Sequence, residues 1–143
     1  HTTMNISEHL SDISLNYFSL VRKLASKFDL TLSQTLVLLY IPFDGITVSD
    51  LSDKLGIDIS TMTRNIQRIE KKGLINRAPN LSDKRSINLQ LSKRGKQISQ
   101  LLNEQISDHL SSVFQKYNFE QIEDIRNMLE SLGWELYLYR KNL

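Results

Sequence analysis

The 143-residue chain contains no cysteine. This absence excludes disulfide bonds, zinc sites built from thiolates and redox sensing by a thiol. The chain has three histidines, His1, His9 and His109, and none of them lies in a dense cluster with acidic residues. We therefore expect no metal site within one chain, although a dimer could assemble ligands from two chains.

Long apolar runs are also missing. No segment approaches the roughly 20 apolar residues that a membrane-spanning helix requires. The start "HTTMNISEHL" has neither the basic region nor the apolar core of a secretory signal. We therefore expect a cytoplasmic protein. The composition, 40% hydrophobic and 24% charged, is typical of one globular domain with room for an appended dimerisation element.

Catalytic motifs are absent as well. The sequence has no Gly-rich phosphate loop, no Ser/His/Asp set at useful spacing and no metal cluster. Its acidic residues lie on segments with helical periodicity, where a solvated face explains them. We expect neither an enzyme nor a bound cofactor.

Charge is distributed unevenly along the chain, although the net charge is only +2. Residues 64–96 contain ten basic and two acidic side chains, a net charge of +8. Residues 97–135 contain seven acidic and two basic side chains, a net charge of −5. This asymmetry indicates a polyanionic partner for the basic segment. A solvated basic surface would give the same count, so charge alone leaves both interpretations open.

Capping motifs and apolar spacing predict two N-terminal helices. Asn5 with Glu8 and Thr31 with Gln34 match capping boxes at the starts of helices from residues 6 and 32. The second helix should end near residue 41, before Pro42, and its nearly continuous apolar residues predict that it is buried.

Two short helices with a tight joint follow. Thr47 can cap the first and Gly56 can end it in a left-handed conformation. Asp58 can then cap the second helix, residues 59–72, which ends at Gly73. Short helices joined by a three-residue turn that contains glycine are typical of a helix-turn-helix.

The stretches "LINRA" and "SINLQL" predict two strands of a β-hairpin, the wing. Alternation places apolar residues on one face of it, and turn-forming residues mark the loop. The inward residues are Leu74, Ile87, Leu89 and Leu91, and the loop residues are Pro79, Asn80, Ser82 and Asp83.

The C-terminal third predicts a long helix after Ser92 and a last helix that starts at Asn118. Both carry broad apolar stripes, and "GWELYLYRKNL" adds large apolar residues at the end. Self-association would bury this surface, and so would packing onto the first helix of the same chain.

The helix 59–72 has two distinct faces at 100° per residue. Its long basic and amide side chains suit the major groove, where Arg pairs with guanine and Gln with adenine. A solvated amphipathic surface would also be charged, but the position in a helix-turn-helix favours DNA. Ile59, Met62, Ile66 and Ile69 should pack inward, and Ser60, Thr61, Arg64, Gln67, Arg68 and Lys71 should face outward.

The loop of the wing suits the neighbouring minor groove, whose negative potential attracts Arg and Lys. Arg85 or Lys84 would enter that groove. A carboxylate beside phosphates is unfavourable, so Asp83 would orient an arginine, either Arg85 or Arg77, through a charge-assisted hydrogen bond. Asp83 could also form a plain Asx-turn, and both roles are compatible.

The segment "DISTMTRNIQRIEKKGLINRAPNLSDKRSINLQLSKRG" resembles the signature of the MarR family of bacterial transcription regulators. The resemblance implies an obligate homodimer whose N- and C-terminal helices interlock and whose lobes read a pseudo-palindromic site. It also implies that the wing pair is Asp83 with Arg85, and that Arg77 is the family's basic residue after the first strand. Residues implied to lie at the DNA are Ser60, Thr61, Thr63, Arg64 and Gln67.

These observations predict a mainly α fold with a small β-wing. The expected regions are an N-terminal dimerisation helix (1–30), a winged helix-turn-helix (31–95) and C-terminal dimerisation helices (96–143). The expected function is a repressor that binds double-stranded operator DNA, with helix 59–72 in the major groove and wing 77–87 in the minor groove. The resemblance implies release by a small, phenolic-type ligand. Tyr17, Tyr40 and Phe43 could line a cleft for it, although aromatic residues on helices are more often core residues. The alternative is a winged-helix protein-interaction module that does not read DNA.

Overall fold

The computed structural model describes residues 3–80, 82–83 and 85–143, and most of these are helical. Three short strands form the rest of the regular structure, and a 3-10 turn at Phe114–Lys116 precedes the last helix. The fold is therefore mainly α with a small sheet, as predicted. In chain order the elements are α1 (Ile6–Ser26), α2 (Leu32–Leu39), β1 (Ile46–Thr47), α3 (Val48–Leu55), α4 (Ile59–Lys71), β2 (Ile75–Pro79), β3 (Ile87–Leu91), α5 (Lys93–Val113) and α6 (Phe119–Lys141).

Local capping determines where the helices begin. The Asn5 side chain accepts the Glu8 amide at 2.9 Å, and Thr31 accepts the Gln34 amide at 3.2 Å. Asn118 accepts the Gln121 amide at 2.8 Å at the start of α6. Each pair satisfies an amide that has no partner within the helix, which confirms the predicted starts of α1, α2 and α6.

The sheet has the order β1–β3–β2 and is antiparallel throughout. β1 was not predicted, since two residues carry no periodic signal. Pro79 was assigned to the loop but is the last paired residue of β2, opposite Ile87. An edge strand tolerates proline because its missing N–H faces away from the neighbouring strand.

The inward face of the wing is shorter than predicted. Leu74, Leu89 and Leu91 are buried, but Ile87 is exposed. Its partner Pro79 ends the hairpin ladder, so this pair lies beyond the part of the sheet that packs on the core. Alternation alone does not reveal where the core ends.

The core of the winged lobe is formed by side chains from several helices and the wing. The chain divides into two compact units, one up to Ile106 and one from Ser107 to Leu143. In the second unit no hydrophobic side chain is fully buried among the described residues. Core residues of the first unit include Val37, Leu38, Leu51, Met62, Ile66, Ile69, Leu89, Ile98 and Leu102.

No helix in the described part of the chain is long and apolar enough to cross a membrane. Across the same residues, no group of three or more His, Asp or Glu side chains is arranged to hold a metal ion.

Candidate DNA-binding surface

The corner between α3 and α4 has helix-turn-helix geometry. Gly56 adopts φ 65°, ψ 34°, a left-handed conformation that costs glycine little. The Ile57 amide donates a hydrogen bond to the Ser52 carbonyl at 3.1 Å, which satisfies one of the free carbonyls at the end of α3. Asp58 then caps α4, so three residues separate the helices, as predicted.

The recognition helix α4 packs one face on the core and leaves the other in solvent. Met62, Ile66 and Ile69 are at most 1% exposed, and Asn65 is buried beside them. Ile59 was predicted to pack inward but is 59% exposed, because it lines the open groove beside the wing instead of the core. The side chains expected at DNA are exposed (Ser60, Arg64, Gln67, Arg68, Lys71) or half-buried (Thr61, Thr63).

The cap of α4 engages the Thr61 hydroxyl. One Asp58 oxygen accepts the Thr61 amide at 3.1 Å and the other accepts the Thr61 hydroxyl at 2.9 Å. The hydroxyl contact and then the amide contact lower the pKa of Asp58 below its ordinary value, and nearby Arg64 adds to this. Since the Thr61 hydroxyl donates to Asp58, it can offer another partner only an acceptor.

Arg77 on β2 forms an ion pair with Glu70 on α4. The Arg77 Nε lies 3.1 Å from one Glu70 carboxylate oxygen and 3.2 Å from the other. Both contacts use Nε, so the terminal amino groups of the guanidinium remain for another acceptor. Sequence reasoning missed this role of Glu70. The available signal was that Glu70 is one of only two acids in the basic segment and precedes Arg77 across the Gly73 turn.

Asp83 organises the wing loop through contacts with its neighbours in sequence. Its carboxylate accepts the Arg85 amide at 3.0 Å and the Ser86 hydroxyl at 3.3 Å. Within the described part of the chain, no guanidinium lies at ion-pair distance from Asp83. The Asx-turn is confirmed. The charge-assisted bond to Arg85 or Arg77 is not formed among the described residues, and its formation on DNA stays a prediction. Lys84, the other predicted groove residue, lies outside the described residues.

A groove of about 310 Å³ joins the three elements of this surface. The start of α3, the middle of α4 and the wing all line it, and its polar groups are hydroxyls and guanidinium groups. The predicted residues Thr63, Arg77 and Arg85 meet here, together with Thr47, Ser49 and Ser86. Thr63, which only the family resemblance had indicated, lies on the side of α4 that faces this groove.

The base of the wing is joined firmly to the helices on either side. The Ser92 hydroxyl donates to the Gly73 carbonyl at 2.6 Å and accepts the Gly95 amide at 3.0 Å. The Ser92 amide donates to the Leu74 carbonyl at 2.9 Å. Ser92 therefore caps α5, as predicted, and also ties the end of β3 to the end of α4.

The aromatics considered for a ligand cleft lie at the surface. Tyr17, Tyr40 and Phe43 are all exposed, so they are not core residues of this chain, and a role in a ligand cleft stays a prediction. Burial of part of the Tyr17 ring and the nearby Tyr40 raise the pKa of Tyr17. The Lys54 ammonium lies 5.4 Å from the centre of the Tyr40 ring, a cation–π distance.

A helix-turn-helix followed by a β-hairpin beside the recognition helix defines a winged helix, the fold through which one large class of transcription regulators binds DNA. The family model described as MarR family matches residues 30–87. The HTH-type transcriptional regulator SarZ of Staphylococcus epidermidis is 31% identical over 107 residues, which cover 74% of this chain and 69% of SarZ. The chain belongs to the MarR family.

Solved structures agree with this fold. A crystal structure of MarR gives a TM-score of 0.84 at 22% identity, with 100% of this chain and 98% of that chain covered. A MarR family protein from Bacillus stearothermophilus gives 0.81 at 23% identity, with 94% and 99% covered. These structures share the winged-helix fold of this chain, whose membership of the MarR family of transcriptional regulators rests on the family model and the curated relatives.

Proposed function

We propose that this regulator represses transcription by binding a pseudo-palindromic operator as a homodimer. α4, the core of the predicted segment 59–72, enters the major groove, and the wing, 77–87, lies over the minor groove. Two such lobes one helical turn apart require an operator of about 16–20 base pairs with two-fold symmetry.

The observation that carries this proposal is the division of α4 into two faces. Three apolar residues anchor it in the core, while Arg64, Gln67 and Arg68 extend into solvent. Arg and Gln side chains are long enough to reach base edges, and Arg77 and Arg85 border the same surface within the groove. A helix kept only for packing would gain nothing from concentrating its longest cations here.

Homodimer formation is supported by exposed apolar side chains on α6. The second unit leaves them in contact with solvent, and burial of these large apolar side chains favours association. Because most regulators of this fold read two half-sites, a two-fold dimer would also supply the second lobe. The residues concerned are Phe119, Met128, Leu129, Leu132, Trp134, Leu136 and Tyr139.

We also propose that a small aromatic ligand of phenolic type releases the protein from DNA. Tyr17 and Tyr40 are both exposed aromatic side chains, and rings of this kind are available to stack on such a ligand. Titration of the operator complex with salicylate tests this step, and unchanged anisotropy up to millimolar salicylate would argue against a phenolic acid.

Fluorescence anisotropy of a labelled duplex from the promoter of the protein's own gene tests DNA binding. We expect saturation at one dimer per operator, and a steep loss of affinity between 50 and 200 mM salt if several phosphates are neutralised. Light scattering after gel filtration should give twice the mass of one chain. Equal affinity for operator and scrambled duplex would overturn sequence-specific binding. A stoichiometric protein partner with no retention on DNA would favour the protein-interaction alternative.

A further inference from the structure

The ammonium group of Lys72, the C-cap of α4, contacts the loop between α1 and α2. It donates a hydrogen bond to the backbone carbonyl of Asp29 and another to the Gln34 side-chain oxygen at 3.2 Å. It also lies 3.9 Å from the Asp29 carboxylate. Residues 26–34, here called the α1–α2 corner, therefore supply the acceptors that the structure gives Lys72.

The acceptors in this corner are held in place by local structure. Asp29 adopts a positive φ of 56°, and the Leu30 amide donates a hydrogen bond to the Ala25 carbonyl at 3.3 Å. This reversal ends α1 and leaves the Asp29 carbonyl outside its hydrogen-bond ladder. Gln34 is only 4% exposed, and its side-chain oxygen also accepts the Thr31 amide at 3.2 Å. These acceptors are held in place by the end of α1 and the start of α2, so the contact forms only when the Lys72 side chain extends toward them.

Electrostatics favours a cation at this place. Lys72 lies at the C-terminal end of α4 and bonds to the loop that follows the C-terminal end of α1. Both helix ends carry partial negative charge, so an ammonium group between them offsets their repulsion. A neutral side chain of similar length would lose this attraction and both hydrogen bonds.

We propose that Lys72 is a positioning residue for DNA reading: it contacts no DNA, and it fixes the end of the recognition helix against the α1–α2 corner. The proposal rests on the proposed DNA-binding function. The adjacent Lys71 provides the contrast, since it is exposed on the basic face of α4. Two successive lysines then have different roles, one toward phosphate and one toward the protein.

Salt-dependent operator binding separates these roles. We expect Lys72→Met to weaken operator binding about tenfold, the size expected for loss of a hydrogen bond to a charged group. The slope of log affinity against log salt should stay unchanged. The matched control Lys71→Met should reduce that slope by about 0.9, as expected for one lost phosphate contact. Lys72→Arg should retain most of the affinity.

Two results would overturn the proposal. A reduced salt slope in Lys72→Met would make Lys72 a phosphate contact. Unchanged operator affinity in folded Lys72→Met, even with a lower melting temperature, would make its role structural only. A double-mutant cycle with Gln34→Leu adds a check, because residues that act through one contact give non-additive losses. Additive losses would mean that Gln34 is not the partner through which Lys72 acts.

Hydrogen exchange without DNA tests the tether independently. Lys72→Met should speed exchange in the last turn of α4 and in the α1–α2 corner together, and unchanged exchange in both would show that no tether exists. If the unmodified protein binds no DNA, the proposed function fails and the role of Lys72 in DNA reading fails with it. If the unmodified protein binds and Lys72→Met binds equally well, only the role of Lys72 fails.

Discussion

Glu70 and Arg77 connect the recognition helix to the wing through a carboxylate that accepts only the Nε of the guanidinium, at 3.1 and 3.2 Å. The two side chains are 38% and 33% exposed, so the pair contributes less than about 1 kcal/mol to stability. Its greater effect is on orientation, because it holds the guanidinium by Nε, while no ion pair among the described residues engages the terminal amino groups.

Replacement of the Glu70 carboxylate should raise the affinity for DNA in general and lower the preference for the operator. Glu70→Gln removes a negative charge beside the DNA surface, so binding to scrambled duplex should strengthen a few-fold. The operator should gain less, because Arg77 loses its fixed orientation. Anisotropy with both duplexes measures the ratio of affinities, and Glu104→Gln on α5 controls for loss of an acid elsewhere. An unchanged ratio in Glu70→Gln would contradict this role.

Arginines on α4 and on the wing should differ in what they contribute. Arg64→Ala should cost about 1–3 kcal/mol at the operator and much less on scrambled duplex, since base contacts carry specificity. Arg85→Ala should weaken binding to all duplexes and reduce any preference for A·T-rich flanks. Competition titrations with operators altered in the centre or in the flanks distinguish the two. Equal effects of both substitutions on every duplex would contradict this difference between the arginine of α4 and the arginine of the wing.

Ser52 should be replaceable without loss of stability. Its hydroxyl is buried in α3 and has no hydrogen-bond partner among the described residues. Ser52→Ala removes this unsatisfied group and improves helix propensity, so the free energy of unfolding should stay equal or rise by about 1 kcal/mol. Thr47→Ala on the same helix removes a real cap and should cost about 1 kcal/mol. Urea unfolding measures both, and a destabilised Ser52→Ala would indicate a partner for its hydroxyl.

The cap of the recognition helix should make stability depend on pH at the acid end. The folded-state pKa of Asp58 is lowered by Thr61, so its contribution is present above the unfolded-state pKa of about 3.9 and is lost as pH falls through the folded-state value. Asp58→Asn keeps a capping oxygen but does not titrate. The stability difference between wild type and Asp58→Asn should therefore shrink from pH 6 toward pH 3, and a difference independent of pH would exclude a titrating cap.

Gly95 should tolerate no side chain. A Cβ there would lie 1.9 Å from the Leu74 carbonyl oxygen, and backbone at the base of the wing cannot move away cheaply. Gly95→Ala should destabilise the protein by more than about 2 kcal/mol. Gly133→Ala in α6 meets nothing within 4 Å and should stabilise its helix by about 0.5–1 kcal/mol. Thermal unfolding compares them, and similar melting temperatures would mean that the close approach relaxes.

Features that depend on local chemistry could be predicted from the sequence. The caps at Asn5, Thr31 and Asp58 bond to amides three residues away, so spacing alone identifies them. Contacts between distant segments could not be predicted this way. The bond from Lys72 to Gln34 joins residues 38 positions apart, and β1 exists only because β3 pairs with it.

The same limit on prediction from sequence applies to the candidate surface. The outward residues of α4 followed from helical periodicity, whereas the exposure of Ile59 depends on where the core ends. For Asp83, charge suggested an arginine partner and turn chemistry an Asx-turn, and the structure shows the Asx-turn to the Arg85 amide. Charge indicates that a surface is basic, but backbone geometry determines which groups meet.

The base of the wing has a consequence for how such a regulator can change during evolution. Ser92 and Gly95 bind the hairpin to its neighbouring helices, and the Pro79–Ile87 pair, where the wing loop begins, lies beyond the buried part of the sheet. Loop tips of this kind accept insertions and new residues at little thermodynamic cost. The loop can therefore be lengthened or recharged while the lobe keeps its fold, so new target sites are accessible by changes that folding does not oppose.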